Sequence, residues 1–302
     1  MRQLALLLSF AAMLCAEGPT YQDAKAAIQR RDFPGALLIL RPLADGGDPQ
    51  AQSALGVLYA GGMGVRQSYE EGVSWFIKAA QQGYPEAQTN LGLAYMAGQG
   101  IKQDLVAAGA WFRKAAEQGN ASGQFNLGNL LHGGEGVTKN DIEAVSMYRS
   151  ASDQNYLPAV EALGTMYMNG FGVPKNQEEG LKQYRAAADK GLAQAQYDVG
   201  VIYLQGMGVA KAPKEAVNWF QKAANQGFPR ALTALGLMSD QGDGLAKDPV
   251  EAYKWFLLAA VQGDPPAKQL TEDQAKRITP AQVEQAKKSA QDWARAAQGQ
   301  KK

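Results

Sequence analysis

The sequence predicts an all-α fold, an α-solenoid made of antiparallel helix pairs. Two stretches with helical spacing of apolar residues alternate along the chain, each with recognisable start and stop signals. This 36-residue pattern occurs six times without insertion, and the copies, called repeats 1 to 6, begin at Ala51, Ala87, Gly123, Ala159, Ala195 and Ala231. A fixed period of this size is typical of solenoids, in which each repeat buries its apolar face only against its neighbours.

The first 16 residues differ from the repeats and predict a cleaved signal peptide. Arg2 supplies a positive start, residues 4–15 form an apolar run broken only by Ser9, and Ala16 precedes the acidic Glu17. This layout favours cleavage after Ala16 and a periplasmic or secreted protein. The run is too short for a membrane span, which needs about 20 apolar residues.

Two alternatives for this segment are a lipid-modified Cys15 and a buried N-terminal helix. Leu14 is not the small residue usually found before a lipid-modified cysteine, and no repeat pattern continues into the segment. Cys15 is the only cysteine, so cleavage leaves a mature chain that cannot form a disulfide.

Charge gives no indication of a nucleic-acid or anionic-membrane partner. The chain has 30 Lys and Arg residues against 29 Asp and Glu residues, and loss of Arg2 leaves 29 of each. No long basic run is present that could follow a phosphate backbone.

The first helix of each repeat carries a glycine between two apolar residues that share one face, as Gly56 lies between Leu55 and Tyr59. Glycine within a helix costs about 1 kcal/mol relative to alanine. Its recurrence therefore predicts that the second helix approaches closely at this point. The following Gly-x-Gly-Val loops, such as Gly62 to Val65, predict a tight reversal with one apolar plug rather than a phosphate-binding loop, because a helix and not a strand precedes them.

The second helix begins at a column of N-cap residues, followed three positions later by glutamate in most repeats. Ser68 and Glu71 are one such pair and predict a reciprocal capping box rather than an acid/base pair. Within the helix, a column of tryptophan precedes a column of Phe or Tyr, as in Trp75 and Phe76, and predicts core packing. Gly83 and its counterparts predict left-handed C-terminal caps.

The ends of the array predict caps. Residues 17–50 form a shortened helix pair in which Asp32 is the N-cap of the second helix, residues 51–266 hold the repeats, and residues 267–302 form a capping helix with a frayed tail from Gln298. Thr279 followed by Pro280 predicts the start of that helix. Repeat 3 departs from the pattern, with Leu131 in place of tyrosine. Either sequence drift with looser packing or a bend in the solenoid explains this departure.

These columns resemble the Sel-one-like repeat, a longer-looped relative of the tetratricopeptide repeat. The resemblance rests on Ala-x-x-x-Leu-Gly-x-x-Tyr, Gly-x-Gly-Val and Trp-Phe/Tyr-x-Lys-Ala-Ala-x-x-Gly, and it covers all six repeats. It implies a right-handed superhelix and a non-catalytic scaffold or adaptor, in bacteria often at the envelope. The implied partner is a protein or an extended peptide, and the pattern carries no signal for an oligomeric state.

The same resemblance implies that the first helices line a concave groove, so their variable positions become the candidate partner-binding residues. Asn90 and Asn126 could bind the backbone of a peptide, while exposed Phe125 and Tyr197 would anchor its side chains. The alternative is that these are only solvated variable positions. The candidates are Thr89, Asn90, Leu93, Met96, Phe125, Asn126, Asn129, His132, Glu161, Thr165, Met168, Tyr197, Asp198 and Val201.

The rival function is that of a beta-lactam-binding or hydrolysing enzyme, which the resemblance to cysteine-rich relatives implies. His132 is the only histidine and the mature chain has no cysteine, which argues against a His/Cys zinc site and a cysteine nucleophile. No Ser-x-x-Lys motif with its supporting elements is present. We therefore expect no catalytic residues, no metal and no cofactor.

Overall fold

The computed structural model describes residues 18–299, which contain sixteen α-helices and no strand. The predicted signal peptide and Cys15 lie outside the described residues, as does the end of the predicted frayed tail, residues 300–302. The chain divides between Lys139 and Asn140 into two compact units, called the N-terminal and C-terminal units.

The N-terminal unit contains seven helices within its described residues. They are α1 (Tyr21–Gln29), α2 (Phe33–Asp45), α3 (Pro49–Gly61), α4 (Tyr69–Gln81), α5 (Pro85–Ala97), α6 (Leu105–Glu117) and α7 (Ala121–Gly133). Each helix packs against the next along the chain. Small and apolar residues such as Ala51, Leu55, Ala79 and Leu91 fill the core between them.

The C-terminal unit contains nine helices within its described residues. They are α8 (Asp141–Asp153), α9 (Leu157–Asn169), α10 (Gln177–Asp189), α11 (Ala193–Gln205), α12 (Pro213–Asn225), α13 (Pro229–Gln241), α14 (Pro249–Val261), α15 (Ala267–Ala275) and α16 (Pro280–Gly299). Consecutive helices from α8 to α15 pack together, and α14 contacts both α15 and α16. The predicted α-solenoid of paired helices is confirmed.

In repeats 1, 2, 4, 5 and 6, an aromatic ring of the second helix leaves no room for a side chain at the glycine of the first helix. A Cβ atom added to Gly56 would lie 2.4 Å from the Phe76 ring, and one added to Gly200 would lie 2.5 Å from the Phe220 ring. The same contact joins Gly92 to Phe112, Gly164 to Tyr184 and Gly236 to Phe256. The predicted close approach is confirmed, and the partner is the aromatic column.

The predicted N-caps are confirmed, but the reciprocal capping box of the second helices is wrong. Ser68 Oγ accepts from the Glu71 backbone N–H at 3.1 Å, as predicted. The Ser68 backbone N–H donates instead to the carbonyl of Tyr59 at 2.9 Å. The same bond recurs at Asp104, Asn176 and Asp248, because the chain returns against the end of the first helix. Glutamate at the third position is therefore not needed for this N–H.

The loop after each first helix packs on the preceding repeat. Gly100 has φ +70°, and a Cβ atom there would lie 2.3 Å from the Tyr69 carbonyl oxygen at the start of α4. Gly172 has φ +65°, and its Cβ would lie 2.2 Å from the Asp141 carbonyl oxygen. The predicted reversal is confirmed. Its glycines serve the contact between repeats as well as the turn itself.

The terminal helices differ from the prediction at one end. Asp32 accepts from the Gly35 N–H as the N-cap of α2, and Thr279 caps α16 in a reciprocal bond with Gln282, both as predicted. An additional helix, α15, precedes α16, and α16 extends to Gly299. The assignment of these end helices as caps stays a proposal.

The tryptophan column is buried unevenly. Trp219 and Trp255 are 6% and 5% exposed, whereas Trp75 and Trp111 are half-buried and pack at the edge of the N-terminal core. Ser239, where other repeats have tyrosine, is 1% exposed and its hydroxyl makes no hydrogen bond within residues 18–299. Trp293 of α16 packs edge-on against Trp255, with ring centroids 5.5 Å apart.

Candidate functional site

The predicted partner-binding residues lie on α5, α7, α9 and α11, the first helices of their pairs. Thr89 and Met168 are buried at 4% and 7% exposure, so neither is an exposed contact residue. Asn129 is exposed. The half-buried candidates are Asn90, Leu93, Met96, Phe125, Asn126, His132, Glu161, Thr165, Tyr197, Asp198 and Val201.

The prediction that Phe125 and Tyr197 are exposed anchors needs correction, because both are half-buried. The Tyr197 ring packs 5.5 Å from the rings of Phe220 and Phe228, centroid to centroid. The guanidinium of Arg230 also contacts the Tyr197 ring, at 4.7 Å from the ring centroid. Tyr197 is therefore largely engaged within the fold.

In the N-terminal unit, a cavity of about 420 Å³ opens between the first helices. Its apolar wall comes from Ile28, Ala54, Val57, Leu58 and Met63. Val57 is 42% exposed, which is high for a valine in a packed helix. Further lining residues are Tyr21, Lys25, Ser53, Tyr84, Glu86, Thr89, Asn90, Asn120 and Ser122.

The polar residues of this cavity differ in whether they already have partners. Thr89 Oγ1 donates to Asn120 Oδ1 at 3.1 Å. Burial, followed by the charge of the neighbouring Glu86, raises the pKa of Tyr84 to about 12. The side-chain amide of Asn90 makes no hydrogen bond within residues 18–299. Asn90 is thus the candidate whose donor and acceptor are both available to a ligand.

Asn126, predicted to act with Asn90, is engaged differently. Its Nδ2 donates to the Ser122 carbonyl at 2.8 Å, within its own helix. Asn126 is also not among the residues that line the cavity. The structure brings Thr89 and Asn90 to the cavity, but not Asn126.

In the C-terminal unit, Asp198 and Val201 line two adjacent cavities of about 260 and 470 Å³. Met168 and Tyr184 contribute to the smaller one. Tyr197 and the exposed Leu237 contribute to the larger one. The cavities beside α11 therefore combine apolar walls with the carboxylate of Asp198, and Asp243 adds a second carboxylate to the larger one.

Two half-buried carboxyl groups, Glu161 and Asp198, interact on neighbouring first helices. Burial, followed by the charge of Asp198, raises the pKa of Glu161 to about 7. Burial also raises the pKa of Asp198, opposed by a hydrogen bond from Gln194 and by the charge of Arg230. Both carboxyl groups therefore disfavour their charged forms in the folded protein.

We expect Glu161→Gln to stabilise the C-terminal unit at pH 8 but not at pH 4. The folded-state pKa of Glu161, about 7, lies above its ordinary value of 4.5, so the wild-type protein loses stability as pH rises through this interval. The gain should be about 1 kcal/mol above pH 7, since water still screens a partly open carboxyl group. Urea unfolding at both pH values measures it. Glu178→Gln, at an exposed position of α10, is the control, and an equal gain at both pH values would contradict the assignment.

Sequence reasoning missed a set of buried glutamines in the first turn of the first helices. Gln88 Nε2 donates to the Ala80 carbonyl at 3.3 Å, and Gln88 Oε1 accepts from Gln118 Nε2 at 2.8 Å. The same pair of bonds is made at Gln52 and Gln196. These side chains satisfy carbonyls at the end of the preceding second helix. The recurrence of glutamine in one column was the available signal.

No group of three His, Cys, Asp or Glu residues within the described range could hold a metal ion. None of the helices described for residues 18–299 has the length and apolar character of a membrane span. Nothing in the described geometry supports the beta-lactam alternative.

The Sel1 repeat family model matches the chain six times, at residues 49–84, 85–120, 121–156, 158–192, 193–228 and 229–264. A comparison with curated protein sequences gives no match. A Sel1 repeat protein from Oxalobacter formigenes is similar in structure, with TM-score 0.74, 31% identity, and coverage of 79% of this chain and 96% of that one.

Two further solved structures share the fold. The protective antigen c5321 of uropathogenic Escherichia coli, which has an SLR fold, gives TM-score 0.52 and 30% identity over 94% of this chain and 70% of that one. The immunity protein Pa5087 from Pseudomonas aeruginosa gives TM-score 0.51 and 20% identity over 72% and 83%. With six matched repeats in register with the helix pairs described above, the chain belongs to the Sel1 repeat family.

Proposed function

We propose that this protein is a non-catalytic interaction scaffold of the bacterial envelope that binds an extended segment of a protein partner between its first helices. The cavity of about 420 Å³ in the N-terminal unit, with an unbonded Asn90 amide at an apolar wall, carries this proposal. Sel1 repeats generally bind proteins, which supports the same conclusion.

The chemistry of this cavity suits a peptide better than a small polar metabolite. Ile28, Val57 and Met63 offer apolar surface that an aliphatic or aromatic side chain of the partner would cover. Asn90 can donate to a peptide carbonyl and accept from a peptide N–H at the same time. Extended peptides are commonly held by such a combination of backbone hydrogen bonds and side-chain pockets.

The envelope location rests on the predicted signal peptide and on relatives. The c5321 relative is a protective antigen present in uropathogenic Escherichia coli strains. A location outside the cytoplasm agrees with the chain having the layout of an exported protein at residues 1–16.

The test is capture of partners from a cross-linked envelope fraction by the wild-type protein and by a Val57→Glu/Asn90→Ala variant, read by mass spectrometry. Loss of an apolar contact and of a backbone hydrogen bond should reduce partner recovery about tenfold, the effect of ~1.4 kcal/mol. Val57 is exposed on α3, so the variant should fold, which circular dichroism checks.

Val106→Glu is the matched control, because Val106 is 67% exposed on the second helix α6 and does not line the cavity. Partners retained by Val106→Glu and lost by the double variant would support binding at this cavity. Equal recovery by all three proteins would remove the cavity as the binding site.

A further inference from the structure

A further groove lies between α10, α11 and α12 in the C-terminal unit, separate from the cavities described above. It has a volume of about 450 Å³ and is lined by Arg185, Tyr203, Trp219, Lys222 and the exposed amides of Asn218 and Asn225, together with Gln221 and Glu215. None of the candidate residues on the first helices lines it. This groove therefore goes beyond the function proposed above.

The groove presents hydrogen-bond donors that the protein leaves largely unused. Neither Arg185 nor Lys222 forms an ion pair within residues 18–299. Lys222 Nζ is held 3.6 Å above the centre of the Trp219 ring, and Arg185 Nη1 reaches the Tyr203 hydroxyl only at 3.4 Å. Trp219 is 6% exposed, and its indole N–H has no hydrogen-bond partner among the described residues. Ser239 Oγ is the only buried side-chain polar atom without a partner among residues 18–299, so the Trp219 N–H reaches solvent at the groove and can donate to a ligand.

The same constellation occurs in the N-terminal unit, four repeats earlier. Arg41 Nη2 donates to the Tyr59 hydroxyl at 2.6 Å, and Lys78 Nζ lies 3.7 Å from the centre of the Trp75 ring. Arg41 and Lys78 are exposed and form no ion pair within the described part of the chain. The arrangement is therefore built twice from the same repeat positions.

Other repeats contain only parts of it. Ile77 of repeat 1, 36 residues after Arg41, takes the place of the arginine, although Lys114 of repeat 2 still lies over the Trp111 ring. Arg149 of repeat 3 donates to the Tyr167 hydroxyl of repeat 4 at 2.8 Å, but Gln183 takes the place of the tryptophan in repeat 4. The complete set is thus not a requirement of the repeat fold.

We propose that the groove at Arg185, Trp219 and Lys222 binds a carboxylate side chain of an acidic segment in a partner protein. Two cations and one carboxylate, Glu215, line the groove, so a single bound carboxylate would balance its charge. Guanidinium, ammonium and indole N–H groups all donate, and a carboxylate accepts from several donors at once.

The test is fluorescence anisotropy of the purified protein with a labelled (Gly-Glu-Glu)₄ peptide and its (Gly-Gln-Gln)₄ counterpart. We expect the glutamate peptide to bind more tightly, and Arg185→Gln/Lys222→Gln to weaken it about tenfold, since each exposed ion pair accounts for roughly a threefold change. Trp219→Phe keeps an aromatic ring at this position but removes the indole N–H together with the five-membered ring, and it should weaken binding about threefold.

Arg149→Gln is the matched control, because it removes the same charge from a repeat that lacks the tryptophan, and its affinity should match wild type. Equal binding of the two peptides, or an equal loss in Arg149→Gln, would overturn the proposal. Displacement of the peptide by inorganic phosphate at equal concentration would also overturn it in favour of a site for free oxyanions. Because Val57 and Asn90 are unchanged in these variants, the result is independent of the first-helix cavity.

Discussion

Gly172→Ala is expected to destabilise the C-terminal unit by about 2–5 kcal/mol, the sum of backbone strain and overpacking. Gly172 has φ +65°, which L-residues with a side chain rarely adopt. In addition, the new Cβ would lie 2.2 Å from the Asp141 carbonyl oxygen, a backbone atom that cannot rotate away. Thermal or urea unfolding followed by circular dichroism measures the loss.

Gly191→Ala separates the two causes of this destabilisation. Gly191 also has a positive φ, +91°, but no atom lies within 4 Å of the position its Cβ would take. This variant should therefore lose only the strain energy, about 1–2 kcal/mol. If both variants lose the same stability, the contact between the loop and the preceding repeat is not what requires glycine at position 172.

Phe220→Ala is expected to cost about 3–5 kcal/mol, the usual range for removing a buried phenyl ring. Phe220 is 1% exposed, lies against Gly200 and packs 5.5 Å from the Tyr197 ring. The substitution leaves a cavity on both sides, because glycine offers no side chain to fill it. Denaturant unfolding measures the loss.

Phe220→Leu is the companion variant at the same position. Leucine retains much of the apolar volume, so the loss should be less than half of that for alanine. Equal losses for the two variants would show that the ring's shape, and not the filled volume beside Gly200, determines stability. The two outcomes are distinguishable in a single series of unfolding curves.

The helix pairs and their closest contacts were predictable from the sequence because the period repeats every local signal six times. A single glycine such as Gly56 within a helix is ambiguous, but a column of glycine facing a column of Phe or Tyr indicates a contact. The predicted capping box was wrong because it was inferred from a local pattern alone. Its Ser-x-x-Glu pattern describes local geometry, while the Ser68 N–H bonds to Tyr59, which only the tertiary return of the chain brings near.

The candidate site was predicted at the level of helices but not of side chains. Burial of Thr89 depends on Asn120, 31 residues later, and Asp264 accepts from Thr233 at the same spacing. Tyr197 and Phe228 pair by aromatic contact at this spacing too. Whether a variable position is open therefore depends on a partner 31 residues later, at the end of the same repeat, which a list of variable positions does not contain.

The contact of each glycine loop with the preceding repeat restricts how the chain can change its length in evolution. Gly100 packs against the start of α4, and Gly136 packs against the start of α6 in the same way. A Cβ atom added to Gly136 would lie 2.3 Å from the Leu105 carbonyl oxygen. Repeats 1 to 5 therefore each contribute both parts of this contact: a glycine loop that packs on the preceding helix pair, and a second-helix start on which the next loop packs. Duplication or loss of a whole repeat preserves the contacts between loops and preceding repeats. An insertion of a few residues in one loop would disrupt the contact that this loop makes. Such proteins can therefore gain or lose complete repeats in evolution. Selection then acts to keep each repeat at the same number of residues.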